Sequence, residues 1–145
     1  MPKRVLVVDD DPAQRRILEE AIKRFGYSVA TADSGDKALA ALKADTPGDI
    51  CLVLLDLVMP GTDGLAVLSA MRSLPKKPPA IVQTAHGSID AAITAMRAGA
   101  VDFVVKPVGA ERLQVSLRNA LATRALEGEL ARIKRSRAGT LTFKD

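Results

Sequence analysis

The stretch Val5-Leu6-Val7-Val8-Asp9-Asp10-Asp11-Pro12 decides how the rest of the chain is read. Four apolar, mostly β-branched residues describe a strand buried on both faces, because a half-exposed strand would alternate apolar with polar. Three carboxylates follow, and Pro12 opens a helical pattern with Asp11 placed as its N-cap. A core strand that runs into charge and turns at once into a helix is the first half of a βα repeat. Capping accounts for Asp11. It does not account for Asp9 and Asp10.

The same pattern recurs along the chain. Apolar segments at Ser28–Ala32, Ile50–Leu55, Ala80–Gln83 and Asp102–Val105 alternate with helical patterns, each roughly 10–14 residues long by periodicity. Gly26 closes the first helix, and Ser34 or Asp36 starts the second, which carries Ala38, Leu39 and Leu42 on one face. Asp63 starts the third, with Leu65, Val67, Leu68 and Met71. Ser88 starts the fourth, with Ile89, Ile93 and Met96, and Gly99 ends it. Such βα units with near-continuously apolar central strands predict a doubly wound α/β domain, a parallel sheet covered on both faces.

The fifth helix begins near Ala110. Leu113, Leu117 and Leu121 are four apart and can dock on the sheet, while Leu126, Leu130 and Ile133 continue to about Ser136–Gly139. The spacing breaks between Leu121 and Leu126, so no strict heptad runs through. The extension reads either as an amphipathic helix that folds back or as a signalling linker. The last residues, Gly139 to Asp145, look like the entry into a further domain.

Composition bounds the class. The chain has 145 residues, 48% hydrophobic and 26% charged, which suits one soluble domain with one good core. No apolar run approaches the ~20 residues that span a bilayer. The single cysteine, Cys51, sits in the run Ile50 to Leu55 and reads as a reduced, buried thiol in a cytoplasmic protein. Of the net charge of +4, residues 1–110 contribute nothing (13 Lys+Arg against 13 Asp+Glu), whereas residues 111–145 carry 8 against 4. The basic excess lies in a tail and aromatics are 3%, so direct nucleic-acid binding by this chain is not expected.

Ligands of open parallel sheets bind at the carboxyl ends of the strands. The first strand ends at Asp9 and Asp10, the third at Asp56, the fourth at Thr84 and the fifth at Lys106. Two unit charges ~4 Å apart repel by roughly 4 kcal/mol at an effective dielectric of 20, so three converging carboxylates call for a cation or raised pKa values. Hard oxygen ligands favour Mg²⁺ over zinc. A carboxylate nucleophile, metal ligands, a hydroxyl and a fixed ammonium are the parts needed to place a phosphoryl group on a carboxylate.

The set Val7-Val8-Asp9-Asp10, Leu55-Asp56-Leu57-Val58-Met59-Pro60-Gly61-Thr62-Asp63-Gly64, Thr84-Ala85 and Lys106-Pro107 resembles the receiver domain of two-component response regulators, over about residues 3–122. The resemblance implies a flavodoxin-like fold with strand order 2-1-3-4-5 and a C-terminal helix that here runs on. It implies that Asp56 accepts a phosphoryl group from a histidine kinase. Asp10 and Asp56 would bind Mg²⁺ directly, Asp9 partly through water, and the Val58 carbonyl would be a further ligand. Thr84 and Lys106 would hold phosphoryl oxygens, and the bond before Pro107 would be cis. A switch would couple Thr84 to Phe103, which has a ring but no hydroxyl. Val58 and His86 fall where similar domains face the attacking water; Val58 cannot orient it, so a long phosphorylated lifetime is expected. His86 itself, a lone histidine in a loop, is expected to be a bystander.

The segments Thr84-Ala85-His86-Gly87-Ser88-Ile89-Asp90-Ala91-Ala92 and Met96-Arg97-Ala98-Gly99-Ala100-Val101-Asp102-Phe103 look like the NtrC-type subgroup, in which a AAA+ ATPase acting on sigma-54 RNA polymerase follows the receiver. That likeness implies a receiver domain over residues 1–122, a helical linker over 123–138 and the start of the missing output domain over 139–145. It also implies a homodimer through the face of helix four, strand five and helix five, or through the linker. Three other readings stay open. A stand-alone receiver is one. An Asp-nucleophile, Mg²⁺-dependent phosphatase is another, although Val58 stands where such enzymes place a second Asp. A flavin or nucleotide module is the third, although three carboxylates after strand one repel phosphate.

Overall fold

Strand β1 (Arg4–Val8) lies inside the sheet and pairs in parallel with both β2 (Ser28–Ala32) and β3 (Ile50–Asp56). Beyond β3 come β4 (Ala80–Thr84) and β5 (Asp102–Val105), giving five parallel strands in the order β2-β1-β3-β4-β5. Four helices connect them: α1 (Pro12–Arg24), α2 (Gly35–Ala44), α3 (Gly64–Met71) and α4 (Ile89–Arg97). A fifth, α5, covers residues 110–122. The flavodoxin-like topology expected from the sequence is the one observed. The computed structural model describes residues 4–44, 49–57, 64–74, 78–84, 89–106 and 109–122. Val58, Met59, Pro60, Gly61, Asp63, His86, Gly87, Ser88, Pro107 and the stretch 123–145 lie outside the described residues.

Period-two alternation sorts the core into two layers. Leu6, Val8, Val53, Leu55 and Val82 face α2, α3 and α4, packing on Ala38, Leu42, Val67, Leu68, Met71 and Ala95. Val5, Val7, Leu52, Leu54, Ile81 and Val104 face α1 and α5, packing on Leu18, Ile22, Leu113 and Leu117. Both layers are buried and apolar, which is why the central strands read as unbroken apolar runs.

The caps follow the sequence. Asp11 accepts from the backbone N–H groups of Ala13 at 3.0 Å and Gln14 at 3.4 Å, with Pro12 in the first turn. Gly26 leaves α1 at φ +100°, where a side chain would be strained. Ser34 caps α2, its hydroxyl accepting from Lys37 N–H at 3.2 Å. The strands run slightly further than the apolar segments suggest: β1 begins at Arg4, β3 ends on Asp56 and β4 on Thr84. Ladder bonds continue through these polar ends, with Leu57 N–H donating to Gln83 O and Lys106 N–H to Thr84 O.

Two expectations are corrected. Cys51 is half-buried rather than buried. Register shifts between Arg4, opposite Ile50, and Val5, opposite Leu52, so Cys51 is the extra residue of a β-bulge, its thiol donating to the Arg4 carbonyl at 3.4 Å. In α4, the residues that set the apolar period, Ile89, Ile93 and Met96, are 68, 46 and 41% exposed. The buried face carries the small Ala92 and Ala95. Among the described residues, no helix is long and apolar enough to cross a membrane.

Candidate functional site

Asp9 extends β1 by one ladder bond, its N–H donating to Ala32 O at 3.1 Å. Alternation continues past Val5 and Val7 and turns its side chain toward the α1/α5 layer. Asp56 follows Leu52 and Leu54 onto that same face. Both carboxylates are buried, at 0 and 4% exposure, while Asp10 is exposed. One carboxylate oxygen from each of Asp9, Asp10 and Asp56 lies within 4.8 Å of the others. Lys106 reaches in from beyond β5: its Nζ donates to Asp56 Oδ2 at 2.8 Å and lies 3.6 Å from Asp9 Oδ2.

The charges are held in place by backbone and by helix α1. Asp11 N–H donates to Asp9 Oδ1 at 3.0 Å, and Arg15 Nη1 donates to the Asp9 carbonyl at 2.8 Å. Burial pushes the Asp9 carboxyl above its usual 3.8, aided by the neighbouring Asp56 and Asp10 charges and opposed by the Asp11 N–H and Lys106. Burial works against the Lys106 ammonium too, but its hydrogen bond to Asp56 and the fields of Asp56 and Asp9 outweigh that, and its pKa lies above 10.5.

These donors fit a hard divalent cation. Asp9 Oδ2 is buried without a hydrogen-bond partner, since Lys106 stands at ion-pair rather than hydrogen-bond distance. An orphaned carboxylate oxygen beside two others is a costly arrangement that a Mg²⁺ ion would relieve. Asp9, Asp10 and Asp56 would be its protein ligands; Val58, the fourth expected ligand, is not among the described residues.

The structure thus brings Asp9, Asp10, Asp56 and Lys106 together. Thr84 ends at the same edge but alternates with Gln83 onto the other face, following Ala80 and Val82. Its buried hydroxyl donates to Val104 O at 3.5 Å and is not part of the carboxylate cluster. Phe103, half-buried, packs on the same layer.

Three residues near the site were given no individual role from the sequence. Arg15 is one turn into α1, and helical side chains lean back toward the N-terminus, so its reach to Asp9 was legible in principle. Gly64 opens α3 where a Cβ would meet Asp56 O at 2.6 Å and Leu57 Cα at 2.7 Å. Gln83 is fully buried, and neither side-chain amide atom has a hydrogen-bond partner.

A flavodoxin-like sheet with a carboxylate–lysine cluster at its carboxyl edge defines the class of domain. The chain belongs to the response regulator receiver domain family, which it matches over residues 5–118. It is 40% identical over 127 residues to the transcriptional regulatory protein ZraR of Salmonella typhimurium, covering 87% of this chain and 28% of ZraR. With the DNA-binding transcriptional regulator NtrC of the same organism it shares 42% over 103 residues, covering 71% of this chain and 21% of NtrC. The crystal structure of NtrX from Brucella abortus superposes with a TM-score of 0.83 at 34% identity, covering 92% of this chain and 30% of that one. The chain therefore spans under a third of these relatives, and its kinship lies with NtrC-type transcriptional regulators.

Proposed function

We propose that this chain is the regulatory input of an NtrC-type transcription activator, phosphorylated on Asp56 by a histidine kinase. The observation that carries this reading is the pairing of a buried Asp56 with Lys106 at 2.8 Å beside two further carboxylates. A carboxylate oxygen of Asp56 attacks the phosphorus of a donor in line. One O–P bond forms on Asp56, the donor's P–N or P–O bond breaks, and the bonding pair leaves with the donor group. Bound Mg²⁺ supplies charge neutralisation for the equatorial phosphoryl oxygens. Lys106 supplies a fixed positive charge on the other side, and Arg15 and Asp11 hold Asp9 in place to carry the metal.

Phosphorylation then acts as a population shift. Thr84 turns from the Val104 carbonyl toward a phosphoryl oxygen, Phe103 takes the space it leaves, and the surface of α4, β5 and α5 repacks. That surface carries Ile93, Met96, Val105 and Val115, each at least 40% exposed, and a homodimer through it is the proposed output. In this reading the receiver ends near residue 122, residues 123–138 are a linker, and 139–145 begin a AAA+ ATPase acting on sigma-54 RNA polymerase, in the cytoplasm.

Incubation with Mg²⁺ and acetyl phosphate tests the proposal by intact mass. One acid-labile phosphoryl group per chain is expected, and none on Asp56→Asn, whose circular dichroism should match the wild type. Uptake by Asp56→Asn at the wild-type rate would overturn the assignment. Turnover of many equivalents of substrate without accumulation would favour the phosphatase alternative.

A further inference from the structure

The ammonium of Lys106 spans the sheet. It starts beyond β5 and ends on Asp56 of β3 and near Asp9 of β1, so it must cross β4, which lies between. The β4 side chain on the face it crosses is Gln83: Ile81, two residues before, packs in the α1/α5 layer with Leu54 and Val104. Gln83 is in register with Asp56 on one side and Val104 on the other, and Val104 precedes Lys106 by two. Neighbouring strands lie only ~4.8 Å apart, so Gln83 shares a sheet face with Asp56 on the next strand and with Val104, two residues before Lys106, on the other.

A buried amide with both its carbonyl and its NH₂ unpartnered is costly, since each group loses its water for nothing. An apolar residue of the same volume would be more stable there. The charged groups beside it offer a reason for the amide. At rest, Asp56 Oδ2 takes one N–H of Lys106 at 2.8 Å, and Asp9 Oδ2 competes at 3.6 Å. Phosphorylation removes that arrangement: one Asp56 oxygen becomes the bridging oxygen of a mixed anhydride, the other a neutral acyl oxygen, and the negative charge moves out to the phosphoryl group. Lys106 then loses its nearer carboxylate partner, keeps Asp9 Oδ2 only at ion-pair distance, and gains from a further acceptor that fixes its direction.

We propose that Gln83 is a positioning residue for Lys106, idle at rest, whose side-chain carbonyl accepts one ammonium N–H when Asp56 is phosphorylated and keeps the other two aimed at phosphoryl oxygens. The inference rests on Asp56 being the phosphoacceptor. It assigns to Gln83 a stabilisation of the phosphorylated state only, so its removal weakens that state without weakening the resting fold.

Two measurements test it, with beryllium fluoride and Mg²⁺ as the phosphoryl mimic. In Gln83→Met the thermal midpoint should stay level or rise, while affinity for beryllium fluoride falls about tenfold, the size of one hydrogen bond to a charged donor. In the wild-type chain the Gln83 side-chain amide resonances should move on saturation with beryllium fluoride. Wild-type affinity in Gln83→Met would overturn the inference, as would amide resonances that stay in place. Should Gln83→Met fail to fold, the wild-type resonances decide alone. A wild-type chain that took up no beryllium fluoride would overturn the phosphoacceptor reading itself, and this inference with it.

Discussion

Asp9 sits where burial and three neighbouring charges compete, and its raised pKa makes it a measurable contributor to stability. A folded-state pKa above the unfolded 3.8 means that the native protein keeps a proton the unfolded chain has already released. Stability from that proton is present at low pH and is lost as pH climbs from 3.8 through the raised folded value. Without Mg²⁺, Asp9→Asn should therefore be more stable than the wild type at neutral pH, with the difference shrinking as pH falls toward 3.8; thermal melts in EDTA across pH 3–8 check this. Adding Mg²⁺ should raise the wild-type midpoint and leave Asp9→Asn nearly unmoved, because binding to the native state alone is stabilising. Lys106 works in the same sense at a far higher pH. Its raised pKa contributes stability below 10.5 that disappears as pH rises through the folded value. Lys106→Ala should still accept some phosphoryl groups on Asp56 but fail to convert them into a change at Phe103, which aromatic-ring NMR would report.

Asp56 is positioned from two directions at the level of elements: by the ladder from β4 and by the approach of α3 to the end of β3. Gly64 N–H donates to Leu57 O at 3.3 Å, and the added methyl of Gly64→Ala would press on backbone atoms that have nowhere to relax. Such overpacking costs about 1–3 kcal/mol. Urea unfolding should show that loss, and acetyl phosphate labelling should slow, because the carbonyl displaced belongs to the nucleophile itself. Helix α4 teaches a different lesson about reading elements. Its periodicity is real, but periodicity gives a face and not a direction. Close packing on the sheet is done by Ala92 and Ala95, small enough to let the helix approach, and the larger Ile89, Ile93 and Met96 are left facing out.

For the whole molecule, that outward stripe is the feature a dimer would use. Single exposed apolar residues are ordinary, but Ile93, Met96, Val101, Val105 and Val115 are all 40% exposed or more and come from α4, β5 and α5 and the turn between α4 and β5. Ile93→Asp should leave monomer stability within about 0.5 kcal/mol, as surface changes do. It should also suppress the increase in sedimentation coefficient that beryllium fluoride is expected to produce in the wild type.

What the chain determines by itself is local and periodic. Apolar runs, caps at Asp11 and Ser34 and the glycine at Gly26 all act within a few residues, so the strands, the helices and the parallel class are legible in order along the sequence. The acidic edge is legible for the same reason, because the carboxyl end of a strand is a sequence position. Which groups meet there is a different matter. Strand order places β4 between Asp56 and the base of Lys106, and alternation sends Thr84 to one face and Gln83 to the other. A bulge makes Cys51 half-buried, and only the seating of α3 on β3 gives Gly64 its constraint. Each of these depends on distances between residues far apart in the chain, which pattern and propensity do not encode and packing does.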